Sequence, residues 1–300
     1  MPRTPWAILV SIEYLAARAL FALLRFLPRS LAERAARILT AALDRALPKL
    51  RRVARINLSF AMPELSAESR EQLIDGVFRS VARILVAVAK FPGIQGGNVN
   101  RWIRYEGLEH YLRAKEKGRG ILVATAHLGN WELSAFAHTL MTEPMGVLVR
   151  PLDNLKIDSW LEHRRELSGN TVIAKQDAAR LVLRALRDNR AVGMLIDQNT
   201  LPSEGVFVNF FGKPACAASG FVRLAKHSGA AVIPGFAFWN ERERRYVLRF
   251  YPEISMSGSL QADTQAIHSF FETVIREYPD QWLWIHRRWK TQPPGAGPVY

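Results

Sequence analysis

Gly120-Ile-Leu-Val-Ala-Thr-Ala-His-Leu-Gly-Asn-Trp-Glu132 is the stretch on which the fold turns. Its first part, Gly120–Ala124, is a short apolar run that reads as a buried strand. Its last part opens a helix, because Trp131 to Leu140 has apolar residues at helical spacing and Asn130 is a natural N-cap. The polar corner between them carries His127 and Glu132, five positions apart. On one continuous helix that offset would turn the two side chains roughly 140° apart. Across a strand–loop–helix corner they can meet, and a histidine oriented by a carboxylate is what a general base requires.

Working outward, the same alternation recurs. Met145–Val149, Thr171–Ile173, Ala191–Ile196, Ala231–Pro234 and Tyr246–Tyr251 read as further strands. Ile157–Leu167, Asp177–Asp188, Ser219–Ser228 and Thr264–Tyr278 read as helices between and after them. Ala67–Ala89 reads as an earlier helix, stopped at Pro92-Gly93. The pattern predicts an α/β fold with a largely parallel sheet flanked by helices, whose sites collect at the carboxyl ends of the strands. Three segments follow: a basic, apolar helical segment at 1–60, an α/β domain at 61–292, and a disordered tail at 293–300 rich in proline and glycine.

The chain has 300 residues, 49% of them hydrophobic, enough for a large core, and a formal net charge of +14 that calls for an acidic partner. Residues 1–60 hold eleven arginines and lysines against Glu13, Glu33 and Asp44. This concentration beside an apolar stretch favours anionic lipid over nucleic acid, for which no binding motif is present. Trp6–Leu27 is apolar but interrupted by Glu13, Arg18 and Arg25, which suits a helix lying in the headgroup region better than a clean span. A tilted span and an ordinary core helix stay open. The single cysteine, Cys216, excludes an intrachain disulfide and reads as a buried inert thiol.

Polar groups follow several of the expected strands: His127 and Glu132, Arg150 to Asn154, then Asp197-Gln198-Asn199. A base, carboxylates and a guanidinium converging on strand ends make a site-like pattern. No His-Glu-x-x-His pattern is present, and His127 with Glu132 supplies too few ligands for a metal.

Ala126-His-Leu-Gly-Asn-Trp-Glu132, Arg150-Pro-Leu-Asp-Asn154, Leu195-Ile-Asp-Gln198, Phe210-Phe-Gly212 and Trp282-Leu-Trp-Ile-His-Arg-Arg-Trp-Lys290 together resemble the lipid A biosynthesis acyltransferases of the lauroyl and myristoyl type. The resemblance covers nearly the whole chain. It implies a glycerol-phosphate-acyltransferase-like fold and transfer of a fatty acyl group from acyl carrier protein to a hydroxyl of a lipid A precursor, at the cytoplasmic face of the inner membrane. No bound cofactor is implied beyond the acyl carrier's phosphopantetheine thioester as co-substrate. It maps His127, Glu132, Asp197 and Arg164 as catalytic, with Arg165 and Arg150 competing for the arginine's duty.

Chemistry supports such a mapping on separate grounds. A hydroxyl is a poor nucleophile near neutral pH, so neutral His127 would take its proton during attack on a thioester. Either Glu132 or Asp197 would orient the ring. The oxyanion would be met by backbone amides of the Leu128–Asn130 turn or by a guanidinium. Arg150, Asn130, Asn154, Gln198, Arg287 and Arg288 are the remaining candidates for substrate binding. Phe207, Phe210 and Phe211 could line a hydrocarbon ruler, and Trp282, Trp284 and Trp289 suit either a membrane interface or the core. Other readings keep the site but change the reaction: another glycolipid, a polyene lipid or an amino-acid lipid as acceptor, or water, which would make a thioester hydrolase.

Overall fold

In the computed structural model, which describes residues 5–174 and 178–300, the decisive stretch forms the central strand of a seven-stranded sheet. Four helices precede the sheet: α1 (Pro5–Phe26), α2 (Arg29–Ala46), α3 (Pro48–Ala61) and α4 (Ala67–Lys90). The α/β part runs β1 (Ile103–Glu106), α5 (Leu108–Lys115), β2 (Ile121–Thr125), α6 (Trp131–Met141), β3 (Gly146–Val149), α7 (Leu155–Glu166), β4 (Thr171–Ala174), α8 (Ala178–Arg187) and β5 (Ala191–Leu195). A hairpin follows, β6 (Gly205–Phe210) and β7 (Lys213–Ala218), then α9 (Gly220–Ser228), β8 (Ala231–Asn240), β9 (Arg245–Phe250) and α10 (Leu260–Glu277). The sheet order is β1-β9-β8-β2-β5-β3-β4, with every neighbouring pair parallel except β8 with β9.

β2 is buried on both faces, as an unbroken apolar run in a covered parallel sheet should be. The expected α/β class, with a largely parallel sheet flanked by helices, holds. Several boundaries move for identifiable reasons. β8 continues six residues past Pro234 because proline sits where the strand changes partner, from parallel pairing with β2 to antiparallel pairing with β9, so its missing N–H interrupts no ladder. β1 is a four-residue edge strand, Ile-Arg-Tyr-Glu, too short and mixed to show a period. The β6–β7 hairpin turns on Phe211 and Gly212, both at positive φ (53° and 75°), a two-residue turn whose bulky first position carries no ordinary turn signature. Asp177, the expected start of α8, lies outside the described residues.

The first sixty residues do not stand apart from the body. Ala54, Leu58 and Ala61 of α3 belong to the main core, and Leu24, Ala32 and Ala36 pack against Ala82, Val86 and Ala89 of α4. The opposite faces of α1 and α2 are exposed and apolar, with Ile12, Leu15, Leu23, Phe26, Ile38 and Leu43 turned outward. Among the described residues no helix is long and apolar enough to cross a membrane. The expected loose tail ends against the body, where Tyr300 Oη donates to Asn57 Oδ1 (2.6 Å) and accepts from the Trp289 amide (3.2 Å).

Candidate active site

Strand register assembles the site. Thr125 at the end of β2 pairs with Leu195 at the end of the adjacent β5, and the Ile196 amide still donates to the Thr125 carbonyl. Two residues further along each chain stand His127 and Asp197. Neighbouring strands lie about 4.8 Å apart, so these side chains meet without any contribution from the helix.

Asp197 is 2% exposed and accepts three hydrogen bonds: from His127 Nδ1 (2.8 Å), from the His127 amide (3.0 Å) and from Trp282 Nε1 (2.8 Å). Burial pushes its carboxyl up, but the facing His127 and these donors outweigh it and hold the group down to about 2. With Nδ1–H donated to this carboxylate, His127 Nε2 carries the free lone pair, and the amide nitrogen of Gln198 stands 3.3 Å from it. This is an oriented base with its basic nitrogen presented outward.

The loop that holds His127 is clamped from two sides. Gly129 has a φ of +67°, and a Cβ there would fall 2.0 Å from the Ala237 carbonyl oxygen, so only glycine permits the crossing. The Leu283 amide donates to the His127 carbonyl, and Leu128 pairs with Trp282 in an isolated bridge. The clamp corrects the expectation of an oxyanion hole in this turn. The Leu128, Gly129 and Asn130 amides donate to Ala126, Gln281 and Ala237 carbonyls at 2.7, 2.9 and 2.8 Å, leaving none for a substrate.

Glu132 is not the partner of His127. It accepts both arms of Arg165, at 2.6 and 2.9 Å, in the first turn of α6. Of the two adjacent arginines, Arg165 is the one that faces Glu132. Arg164 turns away from the site: it is 8% exposed, donates to the Val88 and Ala89 carbonyls in the last turn of α4, and lies over the Trp160 ring. Nothing in the sequence of α7 separates two adjacent arginines, because that helix has a weak apolar stripe.

Beneath α6 the Glu132–Arg165 pair lines an open cavity whose atom-free space, counted together with adjoining solvent, is about 580 Å³. Its walls are mainly apolar, including Val123, Met145, Val147, Leu195, Leu248 and Phe250, with His138 at the far end of the helix. The room depends on Gly193, where a Cβ would sit 3.0 Å from the Met145 methyl. Trp131 lines the same cavity, and its ring centre is 4.9 Å from that of His127. Base and cavity therefore share one wall.

The other expected binding residues divide. Gln198 is in the site. Asn130 is buried as the N-cap of α6, accepting from the Leu133 amide. Asn154 caps α7 and ties it to α1 through the Val10 carbonyl and Glu13. Arg150 is exposed after β3. Arg287 lies over the Tyr300 ring, 5.9 Å from its centre. Arg288 is fully buried, donates to the Cys216 carbonyl, and burial pushes it down to about 10. Phe210 and Phe211 pack with Trp282, Trp284 and Trp289 in the core and are not among the residues lining this cavity. Trp282 is the contact to the site that pattern reasoning missed: 85 positions from Asp197, its hydrogen bond to that carboxylate has no local signature.

The site is thus a histidine–aspartate pair at the carboxyl ends of a mostly parallel sheet, beside an apolar cavity. The chain belongs to the bacterial lipid A biosynthesis acyltransferase family, which it matches over residues 3–291. Among its relatives is the lipid A biosynthesis palmitoleoyltransferase of Escherichia coli, 31% identical over 85% of this chain and 84% of its own length. A lipid A biosynthesis acyltransferase of Haemophilus influenzae is 26% identical over 97% of this chain and 89% of its own. The phosphatidylinositol mannoside acyltransferase of Mycolicibacterium smegmatis is 28% identical over 78% of each.

Proposed function

We propose that this protein moves a fatty acyl group from the phosphopantetheine thioester of acyl carrier protein to a hydroxyl of a lipid A precursor, at the cytoplasmic face of the inner membrane. One observation carries the reading: His127, fixed by buried Asp197, presents the Nε2 lone pair, met by the Gln198 amide, beside an apolar cavity. Nε2 takes the proton of the acceptor hydroxyl as its oxygen attacks the thioester carbonyl. Asp197 stabilises the imidazolium that forms. The tetrahedral intermediate then collapses, the C–S bond breaks, and the imidazolium returns the proton to the leaving thiolate. No acyl-enzyme is needed.

The acyl chain is assigned to the cavity under α6, which extends from Trp131 to His138, about 10 Å along the helix. The acceptor's and carrier's phosphates are assigned to exposed arginines near the strand ends, Arg150 and Arg287 among them. Membrane contact is assigned to the exposed apolar faces of α1 and α2, bordered by exposed Arg18, Arg25, Arg34, Arg37 and Arg45, a composition that suits an anionic interface.

Purified protein offered a panel of acyl-carrier donors and a lipid A precursor tests this by mass spectrometry. One added acyl group is expected with wild type and none with H127A, while both variants bind anionic liposomes equally. Free fatty acid released at a rate indifferent to acceptor would instead identify a hydrolase. A second reading, a different glycolipid acceptor, is favoured by the mannoside acyltransferase among the relatives. An unchanged lipid A acyl count in a deletion strain would select it.

A further inference from the structure

Resting on the acyl-transfer reading above, we propose that Gln198 is a further catalytic residue: its side-chain amide donates the hydrogen bond that stabilises the tetrahedral oxyanion. The first argument is the placement of the amide. His127 Nδ1 gives its proton to Asp197, so the atom of Gln198 that stands 3.3 Å from Nε2 must be the nitrogen, donating to a lone pair. It therefore occupies the space into which the acceptor hydroxyl must bring its proton. The hydroxyl displaces it from Nε2, and the freed N–H is left beside the carbon under attack.

The second argument is that the nearest alternative donors are engaged. Thioester attack creates a negative oxygen that needs a preorganised donor. The Leu128, Gly129 and Asn130 amides are all engaged with carbonyls. Arg165 gives Nε and Nη2 to Glu132, and Arg164 is bound to the end of α4. Gln198 makes no other hydrogen bond among the described residues and is half-buried, so its side chain is free to rotate by the small angle required. Its backbone, by contrast, is fixed by the neighbouring Asp197, locked with three donors. A mobile amide on an immobile base can follow the oxygen as charge develops.

The chemistry balances without a co-reactant. The acceptor oxygen bonds to the carbonyl carbon, its proton passes to His127 Nε2, and the carbonyl electron pair moves onto the oxygen that Gln198 meets. On collapse that pair returns, the C–S bond breaks, and the thiolate receives the proton from His127. Alcohol and thioester become ester and thiol.

The test compares Q198A and Q198E with wild type, using an acyl-thioester donor and saturating acceptor. Removing one oxyanion donor lowers kcat by about 10² to 10³-fold. The KM for the donor should stay near the wild-type value, because the bond forms only as charge develops. Q198E should be slower still than Q198A, since a carboxylate then faces the oxyanion. A merely structural role reverses that order, because glutamate preserves the shape that alanine removes. Should Q198A fold poorly, Q198M, which keeps the length of the side chain but lacks the amide, takes its place in the comparison with Q198E. Q198A turning over within a few-fold of an active wild type overturns the proposal and leaves the first-turn amides of α6, at Trp131 and Glu132, as donors. A wild type inactive with every thioester donor would instead remove the acyl-transfer reading itself, and this inference with it.

Discussion

Asp197 and Glu132 are two carboxylates on either side of one histidine, and the structure uses them in opposite ways. Asp197 lies past the end of β5, almost without exposure, and all three of its hydrogen bonds serve to hold the His127 loop and Trp282. Glu132 lies in the first turn of α6, and both its oxygens are taken by Arg165 across the mouth of a cavity. Glu132 is five residues from His127 and Asp197 is seventy, yet the distant residue is the partner. Parallel register decides this, because Thr125 and Leu195 are level and each strand continues two residues to its functional side chain. Sequence proximity supplied the helix turn that points Glu132 elsewhere.

The largest expected effect breaks the first half of that contrast. D197N keeps the shape but removes the charge that fixes the His127 tautomer, and kcat should fall about 10⁴-fold. Adding H127A to D197N should cost little more, because the two act as one unit. Next comes the ion pair. Replacing one partner of the enclosed Glu132–Arg165 pair strands the other charge, so E132Q and R165M should each lose about 3–5 kcal/mol in denaturant unfolding, with part recovered in E132Q/R165M. In kinetics, E132Q should couple with R165M and add independently to D197N. Coupling of E132Q with H127A in place of R165M would return Glu132 to the base and dissolve the distinction.

These outcomes also show what was legible beforehand. The strand–corner–helix reading of residues 120–141 survives almost to the residue, because β2 is apolar on both faces and α6 carries a good cap and a clear stripe. His127, Asp197 and Gln198 were recoverable because each follows an apolar strand directly. The choice between Asp197 and Glu132 was not, since register is a tertiary fact. Arg165 was hidden by its neighbour, and the backbone donors at Leu128–Asn130 were promising only until β8 and the segment at Gln281–Leu283 used them. Trp282 illustrates the general difficulty: a buried indole that hydrogen-bonds the aspartate of the site looks, in sequence, like any other core tryptophan.

A smaller effect separates the two histidines at the ends of this region. His138, on α6, is buried among Tyr105, Tyr111 and Phe250, with Glu143 and Lys115 as the nearby charges, and burial lowers it to about 4. An unfolded histidine titrates near 6.5. Between those values the unfolded chain takes up a proton that the folded one refuses, so this contribution to stability is complete above about 6.5 and is lost as the pH falls toward 4. H138Q should keep a partner for Tyr105 while flattening the stability profile in that window by up to about 3 kcal/mol. An unchanged profile would mean His138 charges without cost, and the wall of the cavity would be wetter than its lining indicates.

The adjacent arginines give the smallest and most discriminating comparison. Arg164 satisfies two carbonyls at the end of α4 and covers Trp160, so R164M leaves buried acceptors without donors and should cost about 1–3 kcal/mol. Because that contact faces the N-terminal helices, kcat should be untouched when R164M is assayed below its melting temperature. R164K is the sharper variant: one ammonium can reach a carbonyl but cannot span two or stack as a plane. It should therefore recover only part of the stability and still leave the rate alone. A fall in kcat for R164K with stability preserved would place the working guanidinium at 164 after all, and the Glu132–Arg165 pair would then be a structural clasp beside the true site.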